Sequence, residues 1–81
     1  MNESAVFDQL VTLIKPFAKN QDALAAATME TSILADLKVN SARLVDIILA
    51  IEDAFDVQVS DDDADKVKTI GDGVRLILAK K

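Results

Sequence analysis

The sequence predicts an all-α fold: a small bundle of four helices, three long and one short, with a long loop between the first and second. Three observations carry this reading. Apolar residues recur at three- and four-residue spacing in three separate segments, the period of a helix with one buried face. No strand-type alternation runs longer than the "VQV" of residues 57–59. The chain has 81 residues, 51% hydrophobic and 28% charged, which suffices for one core but not for two. Residues 1–81 are therefore read as a single domain. Its core is aliphatic, since Phe7, Phe17 and Phe55 are the only aromatic residues. Such a deformable interior suits a lipid chain or an ordinary small-bundle core.

In residues 4–17, Val6, Phe7, Leu10, Val11, Leu13, Ile14 and Phe17 fall at helical spacing, and Ser4 offers an N-cap. Pro16 lacks a backbone donor and biases Lys15 away from the helical region, so the helix is expected to end or kink there. Residues 18–40 have mixed periodicity, with the polar "KNQD", the Ala-rich "ALAAATM" and then "ETSILADLKVN". A loop of that length needs anchors or a function. Ile33, Leu34, Leu37 and Val39 are the expected anchors, with room for a short helical turn. From Ser41 to Phe55 the helical pattern is strongest, with Leu44, Ile47, Ile48, Ile51 and Phe55 on one stripe and Asn40 available as N-cap. "SDDDADKV" reads as a short acidic helix in which Asp62 and Lys66 stand at i, i+4. The last helix, in "TIGDGVRLILAKK", opens with Thr69 and Asp72 at capping-box spacing and closes on two lysines that suit a helix C-terminus.

Composition excludes several kinds of function. Net charge is −5, and the nine basic residues are scattered, so the clustered cationic footprint that nucleic acid requires is missing. A basic protein surface is the better match. There is no Cys and no His, hence no disulfide, no zinc site and no Ser/His or Cys/His nucleophilic pair. An independent enzyme would have only carboxylates as acid–base groups near neutral pH. The opening "MNESAVFDQL" carries acids where a signal peptide needs cations, and no apolar run approaches the ~20 residues that span a bilayer. The expectation is a cytoplasmic protein that does not engage membranes. Asp61, Asp63 and Asp65 alternate like the start of an EF-hand loop, but Lys66 and Asp72 occupy the places of the turn glycine and the bidentate Glu, so no metal is assigned.

The second long helix has a second, wetter apolar face. At roughly 100° per residue, Ala42, Val45 and Leu49 fall outside the buried stripe, interleaved with Asp46, Asp53 and Asp56. Its charges oppose the helix dipole, with Arg43 in the first turn and Glu52, Asp53 and Asp56 in the last. Such local conflicts mark either a solvated face or a docking surface. Ser41 likewise reads in two ways. Serine is common at helix starts simply as a cap. Alternatively its hydroxyl is an attachment point for a phosphate-containing group, which free N–H groups and the positive dipole end would stabilise. A chain without thiols would then receive its reactive sulfur through a prosthetic group.

The stretch "DLKVNSARLVDIILAIEDAFDVQVSDDDADKVKTIGDGVRLI" resembles the acyl carrier protein pattern, in which D-L-G-x-D-S-L leads into an acidic helix, an E-x-x-F-x-[IV]-x-[IV] segment, an acidic turn and a [TS]-[VI]-x-D close. Asp36, Leu37, Ser41, Glu52, Phe55, Val57, Val59, Asp61, Lys66, Thr69, Ile70 and Asp72 fall in register. The resemblance implies an acyl-carrier-like four-helix bundle with 4'-phosphopantetheine joined to Ser41 as a phosphodiester, added from coenzyme A by a phosphopantetheinyl transferase. The arm's thiol would hold acyl groups as thioesters for acyltransferase or synthase partners in fatty-acid, lipid or polyketide-type biosynthesis. It further implies a monomer whose Val45, Asp46, Leu49, Glu52, Asp53 and Asp56 dock on basic patches of those enzymes.

Four positions depart from that pattern. Asn40 replaces the usual Asp before the serine, Ala42 the usual Leu after it and Lys38 the usual Gly, while Arg43 stands where acidic or polar residues are common. Asn40 still caps a helix but lacks the carboxylate that in the family assists the transferase and its magnesium. With Ala42 and Arg43 it alters the surface beside the arm, which points to a specialised carrier with its own partners. The rival reading is a non-carrier interaction module of the same fold, with Ser41 unmodified.

Overall fold

A computed structural model describes residues 2–80 of the chain. The first helix, α1 (Glu3–Ile14), is capped by Asn2 rather than Ser4: the Asn2 side-chain oxygen accepts a hydrogen bond from the Ala5 N–H at 2.8 Å. Ser4 instead lies exposed in the first turn. Val6, Leu10 and Ile14, four residues apart, form the buried stripe. The helix stops two residues short of Pro16, as expected, and the N–H groups of Phe17 and Ala18 both turn back to the Ile14 carbonyl, at 2.8 and 3.1 Å.

The long first loop contains a fifth helix absent from the four expected. This is α2 (Gln21–Ala25), one short turn capped by the Asn20 side chain, which accepts from the Ala23 N–H at 3.0 Å, and held by the single buried residue Leu24. Of the four expected anchors, Ile33, Leu37 and Val39 are buried, but Leu34 is 41% exposed. Ile33 and Leu34 are neighbours in one tight turn, and with Ile33 turned inward Leu34 faces outward.

Backbone hydrogen bonds stitch this loop to the last helix. Ser32 and Thr69 form an isolated antiparallel bridge. The Ile33 N–H donates to the Lys68 carbonyl at 3.1 Å, the Ile70 N–H to the Thr31 carbonyl at 3.0 Å, and the Gly71 N–H to the Met29 carbonyl at 2.8 Å. Gly71 makes that approach possible, since a Cβ there would sit 2.5 Å from the Met29 oxygen.

The remaining helices are α3 (Leu44–Phe55), α4 (Asp61–Asp65) and α5 (Ile70–Lys80). Helix α5 packs on α1 and buries Ile70, Val74 and Ile77, while α3 crosses α1 with Ile47, Ile48, Ile51 and Phe55 inward. Leu44, expected on the buried stripe, is only half-buried at the head of α3. The capping box at α5 forms as expected: the Asp72 N–H donates to Thr69 Oγ1 at 3.1 Å, and Asp72 Oδ2 accepts from the N–H groups of Thr69 and Lys68 at 3.0 and 3.1 Å. Asp62 and Lys66 do not pair on α4. The ion pair there joins Asp63 to Lys80 at 3.0 Å, which ties the short helix to the end of α5. Lys81 lies outside the described residues.

Two stability predictions follow from these contacts. Gly71→Ala must displace backbone and should cost about 1–3 kcal/mol in urea unfolding. Gly73→Ala meets the end of the Leu10 side chain, at 2.9 Å, and no backbone atom, so part of its strain should be offset by the better helix propensity of alanine, about 1 kcal/mol. Gly71→Ala should therefore be clearly the worse of the two. The second concerns pH. The Thr69 N–H above all, with the Lys68 N–H, holds the Asp72 carboxyl below its ordinary value, against an opposing desolvation. A depressed folded pKa gives stability that is present above the unfolded value near 3.9 and is lost as pH falls through the folded one. The melting temperature of the natural chain should therefore drop more steeply below about pH 4 than that of Asp72→Asn.

Candidate functional site

The approach to Ser41 is made by three residues with different duties. Lys38 takes a left-handed backbone, φ 57°, which a residue with a Cβ adopts at a cost. Val39 is buried and pins the strand of loop. Asn40 is extended, and its side-chain oxygen accepts from the Ala42 N–H at 2.9 Å while its carbonyl accepts from the Arg43 N–H at 2.8 Å. Capping therefore belongs to Asn40. Ser41, exposed, opens a single 3₁₀ turn (Ser41–Arg43) that leads into α3, so the regular helix starts three residues later than the sequence pattern indicated.

Two of the charges that oppose the α3 dipole, Arg43 and Glu52, find local partners. Arg43 Nη1 lies 3.1 Å from Asp46 Oδ2, both exposed. At the other end, Glu52 Oε2 accepts from the Val59 N–H at 3.0 Å. Asp56 is the C-cap in a left-handed conformation, φ 54°, one that Asp tolerates better than most residues. Asp53 and Asp56 are exposed, whereas Glu52 is half-buried. The acids grouped together by sequence thus separate: Asp53 and Asp56 face water, Asp46 holds Arg43, and Glu52 turns toward the segment that leads to α4.

Val45 and Leu49, 62% and 56% exposed, are the wet apolar positions expected on α3. Together with Leu34 they border a cavity of about 580 Å³, within the usual range for small-ligand sites. Leu44 and Ile48 form one wall, Val59, Ala64 and Val67 the other, and Ser41 lines it as well. The second wall was not legible in the sequence, because Ala64 and Val67 reach it only through the placement of α4. Its one signal was the apolar spacing of Val57 and Val59. The alternating Asp61, Asp63 and Asp65 lie on α4, a helix and not a cation-binding loop, and Asp63 is engaged by Lys80.

Ser41 thus offers an exposed hydroxyl at a helix start, free of capping duty and beside an apolar cavity, within a helical bundle. Residues 8–77 match the family described as phosphopantetheine attachment site. An acyl carrier protein of Lactobacillus acidophilus is 37% identical over 78 residues, covering 95% of this chain and 94% of the relative. The solved structure of an acyl carrier protein from Enterococcus faecalis superposes with a TM-score of 0.81 at 26% identity, over 100% of both chains. The chain belongs to the phosphopantetheine-binding acyl carrier protein family. It is a carrier and not an enzyme, it takes covalent 4'-phosphopantetheine, and it works with biosynthetic enzymes. No helix among the described residues is long and apolar enough to cross a membrane.

The left-handed Lys38 generates a prediction of its own. Lys38→Gly, which restores the residue usual in the family pattern, should raise unfolding stability by about 0.5 to 1 kcal/mol, as relief of the strained φ outweighs the extra chain entropy of glycine. Chemical denaturation would measure it.

Proposed function

We propose that Ser41 is the attachment residue, and that residues 1–81 act as one carrier domain and as a monomer. The observation that carries this reading is the exposed Ser41 hydroxyl, relieved of capping by Asn40 and placed beside the apolar cavity. When bound, the arm supplies a thiol that holds acyl groups as thioesters. Every other part belongs to the chain. The 3₁₀ turn presents the serine oxygen to the phosphopantetheinyl transferase. We assign the base for its proton to that enzyme, because the residue before the serine is Asn40, which carries no carboxylate, and the chain has no histidine. The cavity takes the apolar part of the cargo, with Leu44 and Ile48 against one side of it.

Val45 and Leu49, with Asp46, Asp53 and Asp56, form the face that meets basic patches on acyltransferase or synthase partners of fatty-acid, lipid or polyketide-type biosynthesis in the cytoplasm. The overall charge of −5 supports steering toward cationic protein surfaces and away from nucleic acid. Beside the serine, Arg43 cancels part of the Asp46 charge, and Ala42 offers little apolar area. Asn40, Ala42 and Arg43 together fit a specialised carrier whose partners tolerate a cation next to the arm, for repulsion excludes as effectively as attraction selects.

Three experiments test this reading. Co-expression with a promiscuous phosphopantetheinyl transferase should add the mass of one phosphopantetheine group, and Ser41→Ala should abolish the gain; addition at Ser4, Ser32 or Ser60 instead would refute the assignment. Association with cognate enzymes should slow as salt rises, because exposed charges are screened beyond ~10 Å at 0.1 M. Asp53→Lys should weaken partner turnover with an unchanged melting temperature, while Arg43→Asp should improve use by general fatty-acid enzymes.

A further inference from the structure

Glu52 stands apart from the other acids of α3. Its backbone carbonyl receives the N–H groups of Asp56 and Val57, and its carboxylate reaches seven residues along the chain to the Val59 N–H at 3.0 Å. One residue thus gathers three N–H groups of the segment that leaves α3 for α4. That segment carries a wall of the cavity. Val59 and Glu52 both line it, and so do Ala64 and Val67 beyond. Helix α4 itself has five residues and buries none of them. It is held from its flanks by Val57 and Val67, both buried, and from outside by the Asp63–Lys80 pair.

An acid near a helix C-terminus is disfavoured by the dipole, and a half-buried one more so unless it is hydrogen-bonded. The Val59 N–H provides that compensation. A docking acid would face water, as Asp53 and Asp56 do.

We propose that Glu52 is a positioning residue: its carboxylate holds the Val59 backbone against the end of α3 and so fixes the movable wall of the cavity around the acyl chain. This rests on the reading that the cavity takes the cargo of an arm on Ser41. Without the acceptor, the Val59 N–H has no partner in the chain and the segment into α4 is free to swing outward. The requirement is for an acceptor oxygen and not for charge, which separates this role from docking.

The test uses the full chain, carrying the arm and charged with either an octanoyl or an acetyl group. Hydroxylamine attacks the thioester carbonyl and leaves the acyl hydroxamate and the free thiol, so the release rate reports how well the cargo is shielded. In the natural chain octanoyl should be released more slowly than acetyl. Glu52→Ala should erase most of that difference, speeding octanoyl release up to about tenfold, the equivalent of one lost hydrogen bond, with acetyl release unchanged. Glu52→Gln keeps an acceptor oxygen and should stay close to the natural chain. Equal effects of Ala and Gln would show that the charge and not an acceptor oxygen holds the segment and would overturn the proposal, as would no effect of Ala. Equal release of the two groups from the natural chain would refute the lodged cargo itself, and both readings with it. Amide exchange in the natural chain needs no variant: Val59 should be protected well beyond its neighbour Gln58, and equal exchange of the two would overturn the latch alone.

Discussion

The close backbone approach between Met29–Ile33 and Lys68–Gly71 is the constraint on which the rest of the molecule depends. Three N–H···O=C bonds and the Ser32–Thr69 bridge bring the long first loop onto the head of α5. This satisfies backbone groups of an irregular segment that has no helix or sheet of its own to pair them. It also fixes where Ile33, Leu37 and Val39 descend into the interior, and hence where Lys38, Asn40 and Ser41 emerge. Gly71 is the local condition for the contact, as any side chain would collide with the Met29 carbonyl. The Thr69–Asp72 box completes the arrangement by satisfying the N–H groups of Thr69 and Lys68 beside the stitch.

From that frame the carrier site follows by a division of labour. Asn40 takes the cap and leaves Ser41 to solvent. The helix behind it turns one face of Ile and Phe inward and shows Val45 and Leu49 outward, so that a single element supplies core, cavity wall and an exposed apolar face. Two of the charges that conflict with its dipole have partners. Arg43 meets Asp46, and Glu52 meets the Val59 N–H. Asp53 and Asp56 remain exposed to water at the C-terminal end of the helix.

Much of the fold was legible because its elements are amphipathic and their ends are chemically marked. Three long helices, the stop before Pro16, the Asn40 cap and the Thr69–Asp72 box all rest on interactions between residues within four of one another. Errors fell where local signals were ambiguous or distant groups decided. Ser4 and Asn2 are both capable caps, and α1 uses the earlier one. Leu34 is as apolar as Ile33, yet a turn places them on opposite sides. Lys66 stands at the right spacing from Asp62, but the cation that reaches α4 is Lys80, from another helix. The α2 turn gave almost no signal because Leu24 is the one residue it buries.

The sequence by itself determined the fold class, the exclusion of His- and Cys-based chemistry, the serine at the head of an acidic helix, and the run of agreements from Asp36 to Asp72 that resembles acyl carrier proteins. These are encoded in composition, period and spacing, all properties of the chain read in order. Only the tertiary structure decided that Ser41 borders a cavity, that Leu34, Val59, Ala64 and Val67 help to enclose it, and that Glu52 turns inward while Asp53 faces water. The physical reason is that a cavity belongs to no single element. It exists where α3, α4 and the first loop are held apart and together by contacts between residues far from one another in the chain, and no local pattern records that distance.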